Sequence, residues 1–213
     1  SITPIRIRNI APIISAMMIA EESTAWPKVT GNPEDDGLGF SLKWNMGWMH
    51  DFTEYMKLDP YFRKNAHHMM TFSMEYAYSE NYILVLSHDE VVHLKCSMLN
   101  KMPGEGFDKY ANLKVAYAFM TGHPGKKLLF MGQEFAQLRE WSEERELDWF
   151  LLSEEPHQQI QNWYRDLLHL YKKNPALYEL DNDPAGFEWI NKDDIFRSIF
   201  SFVRHSKGKK KNL

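Results

Sequence analysis

Tyr82-Ile83-Leu84-Val85-Leu86-Ser87-His88-Asp89-Glu90-Val91-Val92-His93 is an apolar run that stops abruptly at clustered His, Asp and Glu. A run of that length, bounded by polar residues, reads as a buried strand with its chemistry at the C-terminal tip. A second stretch has the same shape: Met17-Met18-Ile19-Ala20 runs into Glu21-Glu22-Ser23-Thr24. Two strands that each end in carboxylates predict a site assembled at one face of a parallel barrel or sheet.

Outward from these stretches, residues 16–20 read as a buried strand and 21–38 as a loop, punctuated by Pro27, Gly31, Pro33 and Gly37. Phe40 to Asn45 alternates as a short strand does. Trp48, Phe52, Tyr55 and Met56 fall at helical spacing and predict a helix over 48–57, stopped by Pro60. A further helix is expected over 68–78. Beyond the strand at 82–86 a loop runs to 106. Tyr110, Leu113, Tyr117 and Met120 then mark one face of a helix closed by Gly122 and Pro124.

Lys127 to Met131 reads as a strand ended by Gly132, with Gln133-Glu134 at its tip and a polar loop over 133–155. The strongest helix is 154–173, with Ser153 as cap, Glu154 and Glu155 in its first turn, and an apolar stripe of Ile160, Trp163, Tyr164, Leu167, Leu168 and Tyr171. Phe187 to Ile190, a turn at Asn191 to Asp194, and Ile195 to Val203 read as a β-hairpin. Strands alternating with helices imply an α/β fold with a parallel sheet, and the hairpin belongs to something else.

Hydrophobic residues are 44% of the 213 and charged residues 25%, an ordinary globular composition. A net charge of −4 gives no reason to expect nucleic acid. One cysteine, Cys96, excludes an internal disulfide framework and fits a reducing, cytoplasmic setting. No apolar run approaches the ~18 residues of a membrane span. Arg6 and Arg8 before the apolar stretch Ile10 to Ala20 loosely resemble a signal peptide, but that stretch runs directly into Glu21. Ser1 to Ser15 is poorly patterned, Pro4 and Pro12 argue against one helix, and the expectation is a chain that starts partway through a larger protein. The basic tail, Lys207 and Lys209 to Lys211, reads as a solvated terminus.

The run from Met18 to Thr24, with Trp26-Pro27 after it, resembles the acid/base segment of the glycogen branching enzymes of the α-amylase superfamily. The resemblance continues through Gly39 to Met49, Leu58-Asp59-Pro60-Tyr61, Leu86 to His93, Phe130 to Phe135 and Asp183 to Trp189, in family order. It implies the C-terminal half, strands five to eight, of a (β/α)8 barrel over residues 1–180, and the start of a C-terminal β-sandwich domain over 181–213. It implies a retaining glucanotransferase of glycogen biosynthesis that cleaves α-1,4 links and forms α-1,6 branches, with α-glucan as partner and no cofactor.

Carried over by motif, Glu21 is the general acid/base and Asp89 the second carboxylate; His88 hydrogen-bonds the sugar. Trp26, His93 and Glu134 are candidate substrate contacts. Trp44, Trp48, Trp141 and Tyr61 offer further flat faces for sugars, or pack in the core. Retaining chemistry needs a nucleophile and an acid/base about 5–5.5 Å apart, the acid's pKa raised by burial and neighbouring carboxylates. The adjacent pair His67-His68 does not have metal-ligand spacing.

Three departures matter. No Gly-x-Arg-x-Asp segment precedes Glu21, so the family nucleophile is missing and the isolated chain is expected to be inactive. Ser1 to Ser15 does not resemble the family's helix there. Leu94 stands where the family usually has Gly, and a Leu there would crowd the backbone or alter φ. Removing half of a barrel would also leave open sheet edges and a marginal or associating chain. The alternatives are an α-amylase-like hydrolase and a non-catalytic glucan-binding remnant.

Overall fold

The computed structural model describes residues 16–208. The expectations for Ser1 to Ser15 and for Lys209 to Lys211 lie outside them. Four strands, β1 (Ile19–Ala20), β2 (Leu42–Trp44), β3 (Tyr82–Leu86) and β4 (Lys126–Leu129), form one sheet in chain order, every neighbouring pair parallel. Helices α1 (Met46–Lys57), α2 (Met98–Lys101) and α3 (Phe107–Gly122) lie in the crossovers, and α4 (Glu155–Lys173) follows β4. The sheet does not close among the described residues. The buried strand expected over 16–20 is only Ile19–Ala20, the edge strand of the sheet, and Met17, Met18 and Ile19 are exposed, with Ala20 alone buried.

β3 is the best buried strand because both its faces are covered. Leu84 and Leu86 pack into the main core with Trp48, Phe52 and Met56 of α1 and Leu113, Ala116 and Tyr117 of α3. Ile83 and Val85 join Leu42 in a smaller cluster, flanked by Trp44 and Leu128. Two-sided burial is why this strand reads as a continuous apolar run rather than an alternating one. The Asn45 side chain caps α1, its Oδ1 accepting from the Trp48 N–H at 2.9 Å, so the helix starts before Trp48.

Three local expectations are corrected. Residues 68–78 do not form an α-helix; 3-10 turns span Arg63–Met70 and Phe72–Glu75. His67, Met70 and Ser73 are buried at every third residue, the repeat of a 3-10 helix. Ser153 does not cap α4: its hydroxyl bonds the Phe150 carbonyl at 2.8 Å, and Pro near the first helical position sets the start. The hairpin turn falls later than its Asn and Asp residues suggest. β5 (Phe187–Asp194) pairs antiparallel with β6 (Ile199–Arg204), and the turn is Ile195–Arg197, closed by an Arg197–Asp194 ion pair.

The hairpin packs on the helices. Phe200 stacks on His67 with ring centroids 4.1 Å apart and meets Phe119 edge-on. A Cβ on Gly122 would come within 2.9 Å of the Phe202 ring, so a glycine lets β6 approach the end of α3. Arg204, buried, donates to Asp181 Oδ1 at 2.8 Å, to the Gly122 carbonyl at 2.9 Å and to the Gly186 carbonyl at 3.1 Å. No helix among the described residues is long and apolar enough to cross a membrane.

Candidate active site

Because the strands are parallel, their C-terminal ends share one side of the sheet. Glu21 follows β1, Ser87 to Asp89 follow β3, and Gln133 to Phe135 turn just beyond β4. β2 lies between β1 and β3, which separates their backbones by about 10 Å. Ala20 pairs with Lys43, which pairs with Tyr82, so β3 runs on past β1 before its own tip is reached. Glu21 is exposed.

The tip of β3 is held by side chains. The Ser87 N–H donates to the Glu90 carboxylate, and Ser87 Oγ accepts from the Asp89 N–H at 3.2 Å. Gln133 Nε2 donates to the Leu86 and Ser87 carbonyls at 3.2 and 3.4 Å, and the Tyr117 hydroxyl donates to the Gln133 carbonyl. Gln133 is therefore a brace for the tip. His88 Nε2 lies 3.2 Å from Asp89 Oδ1, and its ring meets Phe130 and Trp141, 5.9 and 6.1 Å away, which themselves meet edge-on at 5.1 Å.

His88, Asp89, His93 and Trp141 line one open cleft of about 510 Å³, with Val92 and Ser142. This brings three of the expected site residues together. Glu134 does not line it. It is half-buried, and its charge adds to burial in raising the phenols of Tyr117 and Tyr164, the latter to about 12. Trp26 lines a different cleft, with Lys28, Lys43 and Tyr82.

The loop after the cleft has three left-handed residues: His93 (φ 55), Leu94 (φ 67) and Cys96 (φ 66). Glu140 holds it, its carboxylate accepting from the Leu94 N–H at 3.1 Å and the Cys96 N–H at 2.7 Å. These backbone hydrogen bonds keep the Glu140 carboxyl below its usual range. Sequence reasoning missed Glu140; nothing in its neighbourhood signals a partner more than forty positions back.

Leu94 is 95% exposed, so it does not crowd the site; its burden is φ alone. Leu94→Gly is expected to raise stability by about 1 kcal/mol, since an L-residue in the left-handed region is disfavoured by roughly 1–2 kcal/mol and glycine gives part of that back in unfolded-chain entropy. Urea unfolding of the two chains checks this; an unchanged or lower midpoint would show that the loop relaxes without strain. Among the described residues no cluster of His, Cys, Asp and Glu suits a metal ion.

No protein-family profile matches the chain. It is 67% identical over 197 residues to the 1,4-alpha-glucan branching enzyme GlgB of Butyrivibrio fibrisolvens, covering 92% of this chain and 31% of that protein. It is 54% identical over 198 residues to the GlgB of Gloeobacter violaceus, covering 93% and 27%. The GlgB of Nitrobacter hamburgensis is 57% identical over 189 residues, covering 89% and 26%. The chain thus spans less than a third of these relatives' length. Among solved structures, an alpha-amylase from H.orenii superposes with a TM-score of 0.58 at 18% identity, covering 94% of this chain and 43% of that one, a likeness of fold alone. The fold is α-amylase-like, and two-thirds identity across nearly the whole of this chain places it in the 1,4-alpha-glucan branching enzyme family, of whose members it spans a part.

Proposed function

We propose that the chain carries the acid/base side of a glucanotransferase that breaks α-1,4 links and re-forms them as α-1,6 branches with retention. Residues 1–180 would be strands five to eight of a (β/α)8 barrel, and 181–213 would open a C-terminal all-β domain. Glu21 protonates the leaving glycosidic oxygen and then deprotonates the acceptor hydroxyl. Asp89 binds sugar hydroxyls and favours the distorted, oxocarbenium-like transition state, with His88 donating to the same sugar. His93 borders that subsite, and Trp141 offers it a flat face.

The observation that carries this reading is the cleft that His88, Asp89 and His93 share at the tip of β3, in a chain 67% identical to a branching enzyme. On its own, the 213-residue chain is expected to form no new α-1,6 links from amylose. A general acid contributes only about 10²–10⁴-fold, and the sequence has no Gly-x-Arg-x-Asp nucleophile segment ahead of Glu21. It should still retain glucan, less tightly after His88→Ala. Branch formation by the purified chain would overturn the role left to an outside nucleophile; no retention of amylose would overturn the glucan reading itself.

A further inference from the structure

His93, Leu94, Lys95 and Cys96 are consecutive exposed residues between buried Val92 and buried Ser97. Three of the four hold a left-handed φ, which L-residues disfavour. Side chains that point to solvent do not pack such a loop into place. Its hold comes from hydrogen bonds to its backbone.

Those bonds come from two side chains of opposite charge. Glu140 gives one carboxylate oxygen to each of two amides, Oε2 accepting from the Leu94 N–H and Oε1 from the Cys96 N–H. Lys101, buried at the end of α2, donates from Nζ to the Cys96 carbonyl at 3.1 Å and to the Lys95 carbonyl. Cys96 is thus gripped at its N–H by an anion and at its C=O by a cation. Hydrogen bonds to charged partners are the stronger kind.

The strip that carries Glu140 is tied to the same region by further bonds. The Trp141 N–H donates to the Val91 carbonyl at 3.0 Å, and Asn100 Nδ2 donates to the Leu138 carbonyl at 2.6 Å. The loops after β3 and β4 are therefore joined edge to edge. Each also supplies a wall of the cleft: His93 adjoins Leu94, Trp141 adjoins Glu140, and both line it with His88 and Asp89. Neither Glu140 nor Lys101 lines the cleft, so their effect on it passes through the backbone they hold.

We propose that Glu140 and Lys101 are positioning residues, a two-sided clasp that fixes the His93 loop against the Trp141 wall. The proposal rests on the glucan reading above and names the groups that set the shape of that site. A loop released from the clasp would return its three left-handed residues to ordinary φ and carry His93 off the cleft.

The test is a double-mutant cycle on the 213-residue chain, with Glu140→Ala, His93→Ala and the pair compared by calorimetric titration with maltoheptaose. Hydrogen exchange of the Leu94 and Cys96 amides reports on the clasp, and the urea midpoint on the fold. In Glu140→Ala both amides should exchange faster and maltoheptaose should bind several-fold more weakly, with the urea midpoint nearly unchanged. Glu140→Gln, which keeps one accepting oxygen, should fall between. The pair should bind no more weakly than His93→Ala alone.

Losses that add in the pair would overturn the positioning role, because Glu140 would then act independently of His93. Amides that stay protected in Glu140→Ala would overturn the clasp. If the wild-type chain binds no maltoheptaose, the glucan reading fails and the positioning role falls with it.

Discussion

Asp181→Ala is expected to destabilise the protein by about 3–5 kcal/mol, because it strands a buried guanidinium. Asp181 and Arg204 are both almost wholly buried, with Asp181 Oδ1 2.8 Å from Arg204 Nη2. The other carboxylate oxygen accepts from Lys126 Nζ at 2.9 Å. Burial pushes the Asp181 carboxyl up, but nearby Lys127 and the hydrogen bonds from Arg204 and Lys126 outweigh it and hold the carboxyl below its usual value.

Its contribution is therefore present above the unfolded carboxyl's pKa and is lost as pH falls through the lower folded one. In a chain of this size the loss corresponds to roughly 10 °C in melting temperature. Asp181→Asn, which keeps one acceptor for Arg204, should lose less. Urea unfolding at pH 7 measures each, and an Asp181→Ala, Arg204→Met pair whose losses simply add would show that the two groups do not depend on one another.

The second large effect is acid sensitivity through His123. Its Nδ1 lies 2.8 Å from the Pro124 carbonyl, which only accepts, so the proton is on Nδ1 and Nε2 accepts from the Ser73 hydroxyl at 2.8 Å. Burial is the main cause that depresses this imidazole to about 3. The unfolded chain takes up the proton near pH 6.5 and the folded one does not until about 3, so stability falls as pH drops across that window and the contribution is complete above it.

The full effect is at most about 5 kcal/mol, or about 1.4 kcal/mol per pH unit for the one proton. His123→Gln should flatten the slope of unfolding free energy between pH 6 and 4 by about that amount. Parallel slopes for the two proteins would mean that His123 does not titrate differently on folding.

Where the sequence spoke clearly, one physical cause dominated. Residues 82–86 had to be apolar throughout because both faces of β3 are buried, and the structure has the strand at those residues. α3 was equally plain, since Leu113, Tyr117 and Met120 face one core. The errors arose where side chains rather than backbone propensity set the geometry. The hairpin turn is closed by Arg197 reaching Asp194, and composition alone pointed to the Asn and Asp residues before it. At the site, the strand-end motif led to His88, Asp89 and His93, which share a cleft. The bracing was hidden: Glu140 and Gln133 act on backbone groups more than forty residues away, a distance only the fold makes short.

The order of the sheet has a consequence for how such a chain is made. Strands appear in space in the order in which a ribosome would release them, and none must insert between two that have already paired. Each new strand finds its neighbour waiting, which suits stepwise docking during synthesis at about 5–20 residues per second. The exception is Arg204, which reaches back to Gly122, Asp181 and Gly186 at once. Until β6 emerges, the end of α3 and the Asp181 carboxylate lack that partner, so this one side chain works as the final latch on a structure otherwise assembled in sequence.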